Sequence, residues 1–175
     1  MYTILYVLVG LIVLVFLLSL IAPKTYDVFR TVEIARPKAE VFNYLRSLKK
    51  MDEWSPWAKK DPNMKKTFTG TDGEVGCISH WIGNKEVGEG EQEIKNIIDG
   101  RRIESELRFL KPFKSTSDCY IDVEGLDNDS TRVKWGFSGD YKFPMNIMSF
   151  FKNMDAFVGP DFEEGMASLK EVLEK

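Results

Sequence analysis

The chain has 175 residues, enough for one domain with a real core. It is 43% hydrophobic and 13% aromatic, which excludes a disordered chain. A formal net charge of -3, with no Lys/Arg run, argues against a nucleic-acid partner.

The apolar residues are concentrated at the start. Met1 to Ala22, MYTILYVLVGLIVLVFLLSLIA, carries no charged side chain. About 20 such residues span the hydrocarbon core of a bilayer at roughly 1.5 Å of helix rise each. No Lys or Arg precedes the run, it exceeds the roughly 7–15 residues of a signal-peptide core, and Leu20-Ile21-Ala22-Pro23 is a poor cleavage site. No face of it is polar, as a buried helix of a small soluble domain would require. The segment therefore reads as an uncleaved single-pass anchor through residues 2–22. The chain divides into an anchor, 1–23, and a domain, 24–175. Lys24, Arg30, Arg36 and Lys38 follow the anchor, so the positive-inside rule expects the domain in the cytoplasm.

The β-rich run Thr25–Arg36 predicts a strand. In PKAEVFNYLRSL, Pro37 suits a helix start, and Val41, Phe42, Leu45 and Leu48 recur at helical spacing. The next stretch, EWSPWAKKDPNM, places Trp54 and Trp57 three residues apart around Pro56. That proline argues against a regular helix or central strand and for a loop. The pattern then changes to period two. KTFTG, GEVGCISHWIG, EVGEGEQEIKNII, RRIESELRFL, KSTSDCYIDVEG and STRVKWGFSGDYKF read as six strands joined by short turns, an antiparallel meander. In the last of them Val133, Trp135, Phe137, Gly139, Tyr141 and Phe143 share one face. In RRIESELRFL, Ile103, Ser105, Leu107 and Phe109 oppose Arg102, Glu104, Glu106 and Arg108. One sheet face is wet and one covered. The cover is the C-terminal segment, where Ile147, Phe151, Met154, Val158, Phe162, Met166, Leu169 and Leu173 keep helical spacing and Gly159-Pro160 predicts a kink or a break. The expected fold is α+β, a seven-stranded curved antiparallel sheet wrapped round a long C-terminal helix.

Catalytic signatures are sparse. Cys77 and Cys119 fit no metal spacing and read as buried reduced thiols. His80 is the only histidine, and a zinc site would need more His or Cys at coordinating spacing, so no metal is expected. Neither a P-loop nor a dinucleotide fingerprint occurs, and no cofactor is expected; Gly88-Glu89-Gly90 reads as a bend or bulge. Glu89, Glu91, Glu93, Glu104 and Glu106 read as a solvated sheet face. A proton-transfer site would need a carboxylate desolvated in a cavity. Asp118, Asp155 and Asp161 are loose candidates, of which Asp155 could border the interior.

The order of elements and several stretches together resemble the helix-grip fold of START-like (SRPBCC) proteins, and within it the polyketide cyclase/dehydrase-like group. The stretches are IARPKAEVF (Ile34–Phe42), EWSPWAKKDP, GEVGCISHWIGNKEVGEGE, TRVKWGFSG and DFEEGMASLK. The resemblance covers essentially all of residues 24–175. It implies a hydrophobic cavity between sheet and long helix, and ligands that are lipids, sterols, polyketides or other apolar molecules. It supports a binding fold far better than a substrate. It also suggests a place for the Trp-Ser-Pro-Trp loop at one end of the cavity, where Trp54 and Trp57 either plug the core or form a lip that touches ligand. Trp81, Phe109, Trp135, Phe137, Tyr141, Phe151, Met154 and Phe157 would line or fill such a cavity, and Tyr141, Trp81, Trp135 or Ser105 could each place one hydrogen bond.

Three functions remain open on the sequence. The leading one is a membrane-anchored domain, not an enzyme, that binds an apolar small molecule or lipid. The second is a cyclase/dehydratase-type enzyme using Asp155, His80 or Tyr141 as its acid or base. The third is a packed-core module that holds a protein partner at the membrane.

Overall fold

The computed structural model describes residues 2–151 and 153–175. Its elements run in the order α1 (Tyr2–Ile21), β1 (Thr25–Ile34), α2 (Lys38–Leu45), α3 (Pro56–Lys60), β2 (Lys65–Thr69), β3 (Ile78–Ile82), β4 (Glu89–Ile98), β5 (Arg102–Lys111), β6 (Ser115–Gly125), β7 (Thr131–Asp140) and α4 (Met154–Leu173). Short 3-10 segments, Lys50–Glu53 and Met145–Phe150, precede α3 and α4. The strands form one antiparallel sheet in the order β1-β7-β6-β5-β4-β3-β2, so only β1 departs from a simple meander.

Period-two alternation decides which side chains face inward. Ile103, Cys119, Ile121, Val133, Trp135 and Phe137 point from the sheet toward Phe162, Met166, Leu169 and Leu173 of α4, and α2 adds Val41, Phe42 and Leu45. Every member of this core lies between Tyr26 and Leu173, so the domain owns its core. On the outer face, Arg108 reaches Glu91, Glu93 and Glu106 at 3.0, 2.6 and 2.6 Å, and Arg102 reaches Glu104 and Asp122 at 2.8 and 2.7 Å. The carboxylates read as a solvated face are there. Each such exposed pair adds at most about 1 kcal/mol, and mainly they keep this face wet.

α1 stands outside the core. It is a 20-residue apolar helix, long enough to cross a membrane, and only Ser19 of it is buried.

Three local expectations are corrected. The Trp-Ser-Pro-Trp stretch is not a loop: Pro56 is the first residue of α3, a position where its missing N–H costs nothing. The last strand ends at Asp140 rather than Phe143. Tyr141 still donates its backbone N–H to the Lys24 carbonyl at 2.8 Å, but Pro144 can donate nothing, and Phe143 turns away to meet Phe16 of α1. Finally, of the kink or break expected at Gly159-Pro160 the break is absent: α4 is one helix with Pro160 inside it, and it starts after Asn153, whose side chain caps it by accepting from the Asp155 N–H. Gly159 has a different use. A Cβ there would sit 2.3 Å from Arg30 Nη2, so the glycine lets Arg30 of β1 lie across the helix.

Candidate ligand-binding face

The inner face has a closed end and an open end. At the closed end α3, β7 and α4 meet. Trp135 and Phe162 stack with centroids 4.1 Å apart, and Trp54 and Trp57 stand edge-on to Trp135 at 4.8 and 5.7 Å. Trp54 is buried to 1% exposure. Gly165 makes this approach possible, since a Cβ there would lie 2.7 Å from Trp135 and 3.1 Å from Pro56. The Trp135 indole N–H donates to Cys119 Sγ at 3.3 Å, so it has no hydrogen to spare for a ligand. Trp54 and Trp57 therefore pack into the core here.

The open end lies toward β3, β4 and β5 and the far ends of β1 and β7. Here Tyr26, Tyr141, Phe109 and Trp81 are half-buried around the buried Phe137. Tyr141 packs on Tyr26 at 5.1 Å, Tyr26 on Phe137 at 5.4 Å, Phe137 on Phe109 at 6.5 Å and Phe109 on Trp81 at 6.2 Å. Two of these rings lie over glycines directly across the ladder. Trp81 pairs with Gly90, where a Cβ would come within 2.5 Å of the indole, and Tyr26 pairs with Gly139, where a Cβ would come within 2.5 Å of the hydroxyl. Glycine opposite a ring lets the ring lie flat, which makes a floor rather than a filled wall. At Gly88-Glu89-Gly90, where a bend or bulge is expected, the pairing of β4 with β5 shifts register between Glu89 and Gly90, passing over Leu110 of β5.

A few polar side chains share this face. Ser79, Gln92, Ser105 and Ser117 are all buried. Ser79 stands opposite Gln92, Gln92 opposite Leu107, and Leu107 opposite Ser117, which gives one row across four strands. Ser117 Oγ and the Tyr26 hydroxyl are 2.9 Å apart, and burial raises the Tyr26 hydroxyl above its ordinary pKa. An apolar floor with a few fixed hydrogen-bonding groups suits a largely apolar ligand that carries one polar group.

The site residues anticipated from sequence fall into three groups. Trp81, Ser105, Phe109, Phe137 and Tyr141 lie on the open part of the face. Trp54, Trp57 and Trp135 fill its closed end, and Met154 is half-buried against the core. Phe151 and Phe157 lie on the surface, 80% and 76% exposed. Gln92, Ser117, Ser79 and Tyr26 were missed, because their meeting depends on strand register.

The acid–base candidates are not brought together. His80 is on the outer face of β3, with Nε2 3.5 Å from Glu89 Oε1. Tyr141 follows β7, four strands away in sheet order, roughly 19 Å at the usual strand spacing. Asp155 accepts from Arg30 at 2.7 Å, and that guanidinium holds its carboxyl below the usual range, ionised rather than poised for proton transfer. Glu163 binds the same Arg30 at 2.8 Å, so Asp155, Gly159 and Glu163 form one helix face on which Arg30 clamps α4 to β1. Asp118 and Asp161 are on the outer sheet face and in an ion pair with Lys60, respectively. Cys77 and Cys119 are free and buried, and burial pushes the Cys119 thiol up to about 11. Among the described residues no group of His, Cys, Asp and Glu could hold a metal ion. An open hollow of about 800 Å³ lies on the opposite, outer face. Its lining includes Asp27, Arg102, Glu104, Asp118 and Lys134, a charged surface unlike the apolar floor.

A curved antiparallel sheet gripping one long C-terminal helix, with an aromatic inner face, defines a helix-grip protein of the START-like class. The chain belongs to the family described as polyketide cyclase/dehydrase and lipid transport, whose model matches residues 26–174. Among solved structures, a truncated norcoclaurine synthase from Thalictrum flavum is similar at 17% identity and a TM-score of 0.62, over 89% of this chain and 98% of that one. A Thermobifida fusca protein is similar at 17% identity and a TM-score of 0.62, over 84% of this chain and 92% of its own. A Nitrosospira multiformis protein aligns at 16% identity and a TM-score of 0.60, over 85% of this chain and 96% of its own. At such identities the likeness is one of fold. No curated protein sequence matches the chain.

Proposed function

We propose that this protein is a membrane-anchored binding domain that holds a hydrophobic small molecule or lipid against the open part of its inner sheet face. The observation that carries the reading is the floor of half-buried Trp81, Phe109 and Tyr26 around the buried Phe137, crossed by the row of Ser79, Gln92 and Ser117. The family description, which includes lipid transport, supports the same ligand class. α1 is the anchor, and the basic residues that follow it, Lys24, Arg30, Arg36 and Lys38, favour a cytoplasmic domain. Apolar ligands partition into bilayers, so tethering the face at the membrane raises its encounter rate with them.

The core lies wholly within residues 26–173, so residues 24–175 can be tested without the anchor. The purified domain is extracted with organic solvent and the extract is read by mass spectrometry, and the extracted domain is then titrated with a fluorescent apolar probe. One recurring apolar species at near-stoichiometric yield, or probe uptake at micromolar concentration that Phe109→Ala weakens, supports the reading. An empty extract together with no probe uptake removes it and favours a surface that recruits a protein partner.

A further inference from the structure

The chain between β7 and α4 carries an apolar surface that neither the core nor the candidate site uses. Residues 143–151, FPMNIMSFF, contain no charged side chain and are flanked by Lys142 and Lys152. Phe143, Met145, Phe150 and Phe151 are exposed, from 52 to 80%. Four large apolar side chains on one short segment are a patch that water-soluble surfaces avoid.

This segment is docked on the anchor. Asn146 is buried, and its side-chain amide donates to the Ser19 carbonyl of α1 at 2.7 Å. The Ser19 hydroxyl, itself buried, bonds the Val15 carbonyl at 2.7 Å and the Pro144 carbonyl at 3.2 Å. The Phe143 ring meets Phe16 edge-on at 5.8 Å. The last carbonyls of a helix have no partner within it, and Asn146 supplies one where lipid would not.

The depth of these contacts is the deciding quantity. The 20 residues of α1 give about 30 Å of helix, which the hydrocarbon core of a bilayer needs in full. If Ile21 marks one hydrocarbon boundary, Phe16 lies five residues, about 7 Å, inside it. The Phe143 ring touches Phe16, and Pro144 and Asn146 are bonded at Ser19, two residues or about 3 Å inside the same boundary. An apolar segment of a peripheral helix sits about 5–10 Å into the headgroup–acyl boundary, the depth of Phe16. Lys24, next to the end of α1, and Lys142 then stand where anionic headgroups are.

We propose that residues 143–151 form an interfacial apron that lies in the surface of the same bilayer that α1 crosses. The partner is the lipid surface itself, and the inference rests on the reading of α1 as a membrane anchor. The apron fixes the orientation of the domain: the end of the sheet where Thr25 pairs with Asp140, with Tyr26 and Tyr141 beside it, faces the membrane. A ligand leaving the bilayer would meet the open part of the inner face first.

The test uses the full chain in vesicles of phosphatidylcholine and phosphatidylglycerol. Nitroxide labels are placed by the separate substitutions Phe150→Cys and Phe151→Cys, with Val9→Cys in α1 and Asp129→Cys in the β6–β7 turn as references. The native thiols are buried and stay unlabelled. Collision with dissolved oxygen marks a lipid environment and collision with a water-soluble nickel chelate marks water. The expected result is several-fold more oxygen collision and several-fold less nickel collision at positions 150 and 151 than at 129, approaching the values at 9. Positions 150 and 151 matching 129 while 9 is lipid-like overturn the apron and leave the anchor standing. Water-like values at 9 as well overturn both. Labels at 150 and 151 shielded from both reagents mean that protein, such as a second copy of the chain, covers the patch, and this too overturns the proposal.

Discussion

Trp57→Ala separates a ring that supports the core from one that touches ligand. Trp57 stands edge-on to Trp135 at 5.7 Å and to Phe162 at 6.1 Å, and it is half-buried. Deleting a fully buried tryptophan costs about 3–5 kcal/mol, from lost burial and the cavity left behind. Two edge-to-face contacts at about 0.5–1.5 kcal/mol each fall within that range. With part of the ring already in solvent, the cost for Trp57 is about 2–3 kcal/mol. In a domain of this size about 1 kcal/mol moves Tm by roughly 2–4 °C, so thermal unfolding of residues 24–175 falls by about 5–10 °C. The affinity for an apolar probe, measured by titration well below that Tm, stays within about twofold, a free-energy change of roughly 0.4 kcal/mol. Phe109→Ala gives the opposite pattern. It costs less stability, because Phe109 is half-buried at the open end, and it weakens probe binding about tenfold, or roughly 1.4 kcal/mol. A Trp57→Ala domain with unchanged Tm and a tenfold loss of affinity would refute the reasoning and make Trp57 a lip of the binding face.

Three further outcomes are expected. Gly136→Ala places a Cβ 2.1 Å from the Tyr120 ring, which must move and release its hydrogen bond to Asp27; denaturant titration should show a loss of about 1–2 kcal/mol, and an unchanged midpoint would mean the ring does not lie over Gly136. Cys77 and Cys119 should not react with Ellman's reagent at about pH 8 until the chain is unfolded, since burial raises both thiols and holds Cys119 at about 11, where roughly one part in a thousand is thiolate; fast native-state labelling of either would contradict their burial. Arg108 lowers the pKa of Glu93, and Asn96 followed by Arg102 lowers that of Glu104, so their contribution to stability is complete above the unfolded carboxylate value of about 4.3 and is lost as pH falls through the lower folded values. Tm should therefore decline as pH is lowered from about 5 to about 3, and a flat profile would show that these outer-face pairs do not contribute.

Much of the fold is legible because burial acts on one residue at a time. The alternation in Ile103, Ser105, Leu107 and Phe109 against Arg102, Glu104, Glu106 and Arg108 needs no partner strand to be read, and the structure places each on the expected face. The helical spacing of Phe162, Met166, Leu169 and Leu173 is equally local. What sequence misplaces depends on competition between elements. Gly159-Pro160 has the local chemistry of a break, yet Arg30 from β1, bonded to Asp155 and Glu163, holds both sides of it to the sheet. Asn153 ends up as the helix start because Phe143 and Asn146 are drawn to α1 instead. Phe151 continues the helical apolar pattern and Phe157 is expected to line the interior, and both still lie on the surface. The pattern records that they are apolar, not which apolar environment receives them.

The candidate site shows the same limit from the other direction. Trp81, Phe109 and Phe137 were identifiable as inward rings, but not what separates a floor from a plug. That difference lies in the residue across the ladder. Trp135 meets Gly165 and Pro56 from other elements, so three layers close over it, whereas Trp81 and Tyr26 each meet a glycine in a neighbouring strand of the same sheet and lie flat. A glycine opposite a large ring inside a strand is weak for the strand, which loses a side chain to pack, and it costs conformational entropy on folding. Three strand glycines stand opposite rings here: Gly90 between Trp81 and Phe109 and Gly139 opposite Tyr26 on the inner face, and Gly136 between Tyr120 and Phe29 on the outer. The outer pair has a sufficient structural reason, because Tyr120 is bonded to Asp27 and lies under the Arg102 guanidinium and the Lys134 ammonium. On the inner face Tyr26 is bonded to Ser117 and packs against Phe137 and Tyr141, and Trp81 packs on Phe109, so the glycines let these rings lie together as one floor.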